Sequence, residues 1–122
     1  MCGIAGYFNP DQNYAENPKQ NFHTLSRMIN TMNHRGPDTY GHTIINSCCL
    51  AHTRLSIIDL ENGRQPMSYT KDGNTYYIVY NGEIYNYKEV KKTLLQKNYT
   101  FKTKSDTEVI VAAFCHYGPA FV

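Results

Sequence analysis

Two turn signals stand between short apolar segments of the chain, and they constrain its fold more than any other feature. Asn46-Ser47 is the first, and Asp72-Gly73, within K-D-G-N, is the second. Asp-Gly between such segments is a strong signal for a β-hairpin. The strands predicted around these turns are 42–46 and 48–54, then 67–70 and 75–80. Two hairpins, without a regular alternation of strands and helices, predict antiparallel sheets packed against helices, an α+β fold.

The other elements follow from apolar spacing and from breakers. Residues 2–8 are apolar on both faces and predict a buried strand, whereas 9–18, His34–Asp38 and 57–66 predict irregular segments. Ser105 and Glu108 have the S-x-x-E spacing of a capping box. The predicted helices are 21–33, then 86–97 with Tyr87, Val90, Leu94 and Leu95 on one side, and 106–117, ending at Gly118-Pro119. One domain over residues 1–122 accounts for all of them, and its apolar end at Phe121-Val122 is expected of a truncated domain.

Composition argues against several classes of function. A net charge of +2 argues against a nucleic-acid partner. The four cysteines form no C-x-x-C, the five histidines lack the spacing of metal ligands, and no phosphate-binding loop occurs. We find neither the pattern of a signal peptide nor an apolar run long enough to span a membrane. We therefore expect a cytoplasmic protein with free thiols, no metal and no membrane partner.

Cys2 is the first candidate for chemistry. If Met1 is removed, Cys2 carries both a thiol and a free α-amine. The reference pKa of such an amine is about 8, so near neutral pH part of it is unprotonated and can act as a base. Nucleophile and base would then share one residue, as in enzymes with an N-terminal threonine. A buried structural cysteine at the start of a strand remains the alternative interpretation.

Three further positions could serve acyl transfer from an amino acid. Asn81-Gly82 follows an apolar strand, where a side-chain amide and a backbone N–H could stabilise an oxyanion. Arg54 could pair with the carboxylate of an amino acid, and Asp106 with its ammonium group. Each position also has a structural alternative: a tight turn for Asn81-Gly82, a surface ion pair for Arg54, and a favourable helix-end charge for Asp106.

Together, five segments in order resemble the class II glutamine amidotransferases, which are N-terminal-nucleophile hydrolases. The segments are M-C-G-I-A-G, H-R-G-P-D, H-T-R-L-S-I-I-D-L, Y-N-G-E-I-Y-N-Y and S-D-T-E-V-I. The resemblance runs from Cys2 to about Tyr117 and implies an αββα sandwich of antiparallel sheets that releases ammonia from L-glutamine. Because the glutaminase domain of this family is longer than 122 residues, it also implies that the chain is the N-terminal part of the domain.

The resemblance implies a role for each candidate residue. Cys2 would be the nucleophile, with its α-amine as the base, and Asn81 and Gly82 would form the oxyanion hole around a γ-glutamyl thioester. The H-R-G segment, His34–Gly36, would lie beside the nucleophile and shape the pocket. The implied glutamine-binding residues are Arg54, which would hold the α-carboxylate, then Leu55, Ser56, Ile57 and Ile58, and finally Glu83 and Asp106 at the α-ammonium group.

The residues within these motifs are most similar to those of the asparagine synthetase branch of the family. H-R-G-P-D, R-L-S-I-I-D-L followed by Gln65-Pro66-Met67, and N-G-E-I-Y-N-Y carry this similarity. It implies a separate C-terminal synthetase domain that uses ATP and Mg²⁺ to adenylate aspartate, whereas the present chain would need no cofactor. The assembly, including a homodimer, stays open. The alternatives are the same glutaminase chemistry feeding a sugar phosphate, a phosphoribosyl compound or a cell-surface or peptide precursor, and an inactive binding domain.

Overall fold

A computed structural model describes residues 2–55 and 63–121, which divide into two compact units. The first unit holds residues up to Leu55 together with 64–66 and 79–81. The second unit holds Gly63, 67–78 and 82–121. The prediction of an irregular segment at 57–66 lies outside the described residues except at 63–66, which form neither helix nor strand.

The first unit is built on a three-stranded antiparallel sheet and one helix. Its strands are β1 (Gly3–Phe8), β2 (Thr39–Ile45) and β3 (Cys48–Arg54), in the order β1-β3-β2. Residues 46–47 form the turn between β2 and β3, which confirms the first predicted hairpin. The helix α1 (Pro18–Asn30) precedes β2 in the chain, and a single 3-10 turn at Tyr14–Glu16 precedes α1. Since β3 pairs with both neighbours, it is the centre of this unit.

One face of this sheet packs against α1. Leu25 and Ile29 of α1 are buried in a cluster with Cys49 and Ala51 of β3. Because side chains alternate along a strand, Ile4 and Phe8 of β1 point to the face of the sheet that is turned away from α1. There Ile4 and Phe8 are 46% and 67% exposed. The prediction that residues 2–8 are buried on both faces is therefore wrong, since α1 covers only one of them.

The boundaries of α1 differ from those predicted. The helix was predicted over 21–33, but it begins at Pro18 and ends at Asn30. Both boundaries are therefore three residues earlier in the chain than predicted. Proline is favoured at the first position of a helix, because its missing N–H has no acceptor there and its φ angle is already helical. Pro18 therefore begins the helix, although the sequence had placed it in the predicted irregular segment 9–18.

The second unit combines a hairpin with two helices. Strands β4 (Met67–Lys71) and β5 (Asn74–Ile78) pair in an antiparallel register. Asp72 and Gly73 join them with φ angles of 51° and 79°, as an Asp-Gly hairpin turn requires. The helices are α2 (Tyr87–Gln96) and α3 (Asp106–Tyr117). The hairpin and both helices are where the sequence predicted them, to within two residues at each boundary.

The core of the second unit lies between these elements. Leu94 of α2 is fully buried, whereas its neighbour Leu95 is 52% exposed. The prediction that Leu95 shares the buried side of α2 is therefore wrong, and the buried Tyr99 beyond the helix takes part in the core instead. The buried members of this cluster are Tyr69, Leu94, Tyr99, Val109, Val111, Ala112 and Ala113.

The start of α3 is capped, though only in part as predicted. The Ser105 side chain accepts a hydrogen bond from Thr107 N at 3.2 Å. Glu108, however, does not turn back to Ser105 as in a capping box. Its carboxylate accepts from Lys102 N at 2.8 Å, from Thr103 N at 2.7 Å and from Thr103 Oγ1 at 2.6 Å. The buried carboxylate thus fixes the loop that precedes the helix.

Antiparallel sheets and three helices give the described residues an α+β fold, as the sequence predicted. All four cysteines are free in the structure. Among the helices of the described segments, none combines the length and the apolar character needed to cross a bilayer.

Leu94 and Leu95 offer a matched test of the core of the second unit. Leu94→Ala is expected to lower the free energy of unfolding by about 2–5 kcal/mol, because it leaves a cavity at a fully buried site. Leu95→Ala, on the exposed side of the same helix, is expected to change it by less than about 0.5 kcal/mol. Urea unfolding followed by circular dichroism measures both values. Equal losses in the two variants would contradict the observed packing of α2.

Candidate functional site

The pairing of β1 with β3 places Cys2 beside the end of β3. Gly3 is opposite Thr53, and Gly3 N donates to Thr53 Oγ1 at 3.1 Å. Cys2 therefore lies next to the Arg54-Leu55 segment, and its Sγ is 3.9 Å from Leu55 O. The side chain of Cys2 is partly exposed. A thiol in this position is held by the sheet and remains accessible to a ligand.

Gly3 allows this close pairing. A Cβ atom at this position would lie 2.7 Å from Thr53 Oγ1 and 3.2 Å from Met32 Cβ. The first of these distances is shorter than real contacts allow, so any side chain would displace Thr53 or the strand itself. The glycine after the cysteine is therefore needed to keep Cys2 at this edge of the sheet.

The H-R-G segment lies against the same strand end. A Cβ atom on Gly36 would come within 2.6 Å of backbone atoms of both Thr53 and Arg54. Arg35 Nε donates to Cys2 O at 3.2 Å, and Asp38 N donates to Arg54 O at 3.1 Å. The H-R-G segment therefore lies beside Cys2, as expected from the sequence, and together with Asp38 it links the backbone of Cys2 to that of Arg54.

Arg54 and Leu55 differ in exposure. Arg54 is 7% exposed, whereas Leu55 is 38% exposed. A carboxylate that pairs with Arg54 must therefore reach a mostly buried guanidinium group. Burial strengthens such a pair because the surroundings screen the charges less than bulk water does.

The first unit also contains a polar cluster that the sequence analysis did not identify. Gln65 Oε1 accepts a hydrogen bond from Tyr80 N at 2.5 Å. The ring of His52 donates to the carbonyl group of the same residue. His52 is 1% exposed, and burial, followed by the positive charge of Arg54, lowers its pKa below 6.5. His52, Gln65 and Tyr80 each stood in a motif quoted above, but nothing in the sequence indicated that the three motifs meet.

Asn81 follows this cluster directly and belongs to the same unit as Cys2 and Arg54. Its side chain is exposed. The division between the two units falls between Asn81 and Gly82, so the two predicted oxyanion donors belong to different units.

The second unit holds the remaining candidate residues. Gly82 and Glu83 are exposed, and Asp106 is partly buried at the start of α3. Asp106 Oδ2 accepts a hydrogen bond from Ile84 N at 3.0 Å. The carboxylate therefore fixes the backbone immediately after Glu83.

The structure thus groups the candidates into two sets. Cys2, Arg54 and Leu55 lie together in the first unit, which also contains Asn81. Gly82, Glu83 and Asp106 belong to the second unit. The predicted ligand-binding residues Ser56, Ile57 and Ile58 lie outside the described residues. Across 2–55 and 63–121, no group of at least three His, Cys, Asp or Glu side chains could hold a metal ion.

Comparison with known proteins agrees with the motifs. A family model described as the glutamine amidotransferase domain matches residues 1–122. Asparagine synthetase [glutamine-hydrolyzing] 1 of Bacillus subtilis is 45% identical over 96% of the chain. Asparagine synthetase B [glutamine-hydrolyzing] of Escherichia coli is 39% identical, and amidase chyE of Penicillium rubens is 35% identical, each over the whole chain.

The matched region is a small part of each relative. The chain covers 18% of the Bacillus protein, 21% of the Escherichia protein and 19% of the Penicillium protein. It therefore spans about a fifth of the length of these relatives.

Acidification is expected to destabilise the chain through His52. Because the pKa of His52 is lowered in the folded state, the unfolded chain binds this proton more readily. The contribution of His52 to stability is therefore complete above pH 6.5 and is lost as the pH falls from 6.5 towards the folded-state pKa. Urea unfolding between about pH 7.5 and about pH 5 measures this dependence.

His52→Asn, which does not titrate, should show a weaker loss of stability on acidification than the unmodified chain. The exposed His23 provides the control, since His23→Asn should leave the dependence unchanged. An identical pH dependence in His52→Asn and in the unmodified chain would contradict the assignment.

Proposed function

The chain belongs to the glutamine amidotransferase domain family, and we propose that it hydrolyses L-glutamine to L-glutamate and ammonia through a thioester on Cys2. One observation carries most weight. Cys2 is held at the end of β1 with its Sγ partly exposed, beside Arg54-Leu55 and in contact with Arg35. The proposed nucleophile is thus next to the segment that carries Arg54, the proposed partner of the substrate carboxylate.

The thiol of Cys2 is activated by the α-amine of the same residue. The sequence begins with Met1, so removal of this methionine is required before Cys2 has a free α-amine. The amine takes the proton of the thiol, and the thiolate attacks Cδ of the glutamine side chain. The resulting ammonium group then gives a proton to the leaving nitrogen, the C–N bond breaks, and ammonia departs. A γ-glutamyl thioester remains on Cys2.

Hydrolysis of the thioester restores the enzyme. The α-amine removes a proton from a water molecule as its oxygen attacks the thioester carbonyl carbon. The C–S bond breaks, glutamate is released, and the sulfur regains a proton from the ammonium group. In both halves of the reaction negative charge develops on the carbonyl oxygen. We assign its stabilisation to the side-chain amide of Asn81 and to Gly82 N.

Substrate binding follows from the charges of a free amino acid. Arg54 binds the α-carboxylate as a two-pronged donor. Leu55, Ser56, Ile57 and Ile58 line the rest of the glutamine site. Glu83 and Asp106 bind the α-ammonium group, and the hydrogen bond from Ile84 N leaves Asp106 Oδ1 for this purpose. The H-R-G segment shapes the pocket beside the nucleophile.

For the fold, we propose the αββα sandwich of the N-terminal-nucleophile hydrolases, with the present chain as the N-terminal part of that domain. The antiparallel strands and the three helices support it. Residues 1–122 would then all belong to one glutamine amidotransferase domain, as the extent of the family match supports.

For the acceptor of ammonia, we propose aspartate. Relatives named as glutamine-hydrolysing asparagine synthetases support this, and ATP and Mg²⁺ would act in a synthetase domain outside the present chain. The relative named as an amidase favours a second candidate, in which the same domain serves a different acceptor. Production of asparagine from glutamine, aspartate and ATP by the full-length protein would decide between them.

Cys2→Ala tests the nucleophile. We expect glutamine hydrolysis, measured as glutamate release, to fall by roughly 10³-fold or more, because no other group can form the thioester. Cys115→Ala, in the second unit, should retain activity and is the matched control. A glutamine-mimicking diazoketone should add once to the unmodified protein, at Cys2, in intact-mass and peptide-mapping experiments. Turnover by Cys2→Ala would contradict the assigned role.

Arg54→Lys tests the carboxylate contact. Lysine keeps the charge but cannot form two parallel hydrogen bonds, so KM for glutamine should rise by roughly 10-fold or more while kcat changes less. The exposed Arg27 supplies the control, and Arg27→Lys should leave both constants unchanged. Steady-state kinetics separate the two. An unchanged KM in Arg54→Lys would remove Arg54 from the binding site.

A further inference from the structure

The segment before Asn81 is held by side chains rather than by strand pairing. Strand β5 ends at Ile78, and residues 79–81 belong to no strand. Backbone N–H and C=O groups nevertheless need partners wherever water is excluded. For Tyr80, side chains supply both partners.

The two partners of Tyr80 come from different parts of the first unit. Gln65 Oε1 accepts from Tyr80 N at 2.5 Å, and the His52 ring donates to Tyr80 O. Because a peptide group is planar, the Tyr80 carbonyl lies in the same plane as Asn81 N. Fixing that carbonyl group therefore fixes the direction in which the chain enters Asn81.

The backbone around Gln65 is built to reach this position. Gly41 of β2 is directly opposite His52 in the sheet register. A Cβ atom on Gly41 would overlap Gln65 O. The absence of a side chain at Gly41 therefore lets the Gln65 backbone lie against the sheet beside His52, where the Gln65 side chain reaches Tyr80.

His52 has a feature that stability alone does not require. Its Nε2 atom is buried and has no hydrogen-bonding partner within residues 2–55 and 63–121. Nδ1 is then the nitrogen that donates to Tyr80. Leaving a buried acceptor unpaired costs free energy, so the hydrogen bond from Nδ1 to Tyr80 O is the contact that favours a histidine at this position.

We propose that Gln65 and His52 are positioning residues that hold the Tyr80 peptide from both sides and thereby set the side chain of Asn81 for catalysis. This role rests on the proposed function, since it requires Asn81 to donate to the oxyanion. Neither Gln65 nor His52 touches the substrate. Loss of either residue is therefore expected to lower kcat rather than to raise KM, because an oxyanion donor stabilises the transition state more than bound glutamine.

Two pairs of variants test the proposal. Gln65→Met keeps the shape of the side chain but removes the acceptor, whereas Gln65→Glu restores an acceptor oxygen. His52→Leu removes the donor, whereas the amide nitrogen of His52→Asn takes the place of Nδ1. In each pair, the second variant is the matched control for the first.

The first readout is amide hydrogen exchange. Loss of the Gln65 acceptor is expected to raise the exchange rate of the Tyr80 amide by roughly fivefold, and Gln65→Glu should bring it back towards the original rate. His52→Leu is expected to raise the exchange rate at Asn81, and His52→Asn should not. Amides of α1 report whether each variant remains folded. Unchanged exchange at both residues in folded Gln65→Met and His52→Leu would overturn the proposal.

The second readout is glutaminase kinetics. In Gln65→Met and His52→Leu, kcat is expected to fall by roughly 10–10²-fold with KM changed less than about twofold, because a misplaced donor weakens only the transition state. Gln65→Glu and His52→Asn should recover most of kcat. Faster exchange with an unchanged kcat would also overturn the proposal, because Asn81 would then not depend on Tyr80.

The proposed function fails on a different result. If the unmodified protein, with Met1 removed, turned over glutamine no faster than Cys2→Ala, the glutaminase assignment would be wrong. The exchange rates would still show whether Gln65 and His52 hold the segment. The two proposals are therefore distinguished by separate measurements on the same set of variants.

Discussion

The antiparallel pairing of β1 with β3 is the interaction on which the rest of the candidate site depends. It connects residues that are far apart in the sequence, with Gly3 opposite Thr53. A shift of one residue would turn every side chain of β1 to the other face of the sheet, and Tyr7 would leave the cluster around α1. The same register determines that Cys2 meets the end of β3. Packing of the helix and placement of the thiol are therefore determined together.

Glycine has a decisive part in this arrangement at two positions. Gly3 leaves room for Thr53, and Gly36 leaves room for the backbone of Arg54. Neither position requires an unusual φ angle, so the need for glycine comes from close approach alone. The start of β1 and the H-R-G segment can both lie against the end of β3 only because Gly3 and Gly36 have no side chain there.

The sequence predicted the elements better than their surroundings. Both hairpins and all three helices were found, because turn residues and helical spacing are local signals that the fold reinforces. The exposure of Phe8 and Leu95 was not predicted, since it depends on which neighbours cover a face. The partners of Glu108 were missed for a similar reason. A spacing of three residues allows a capping box, but the loop at Lys102 and Thr103 offered better donors.

The candidate site shows the same limit. Its motifs pointed to Cys2 and Arg54, because their chemistry is visible in the residue types themselves. Gln65 and Tyr80, in contrast, lay within quoted motifs but were given no role. Their hydrogen bond joins residues from two different motifs, and only the path of the folded backbone brings them together. Residues that hold a catalytic segment in place are harder to find from one sequence than residues that react.

The carboxylate of Glu108 gives the loop before α3 an unexpected rigidity. Its three hydrogen bonds to Lys102 and Thr103 make this loop part of the helix end. The length of the loop is therefore set by the reach of one side chain, rather than being free to vary as in most connections at a surface. In the design of insertions or circular permutants, this loop is a poor place to open the chain. The tip of the hairpin at Gly73, where even an added Cβ would meet nothing, is a better one.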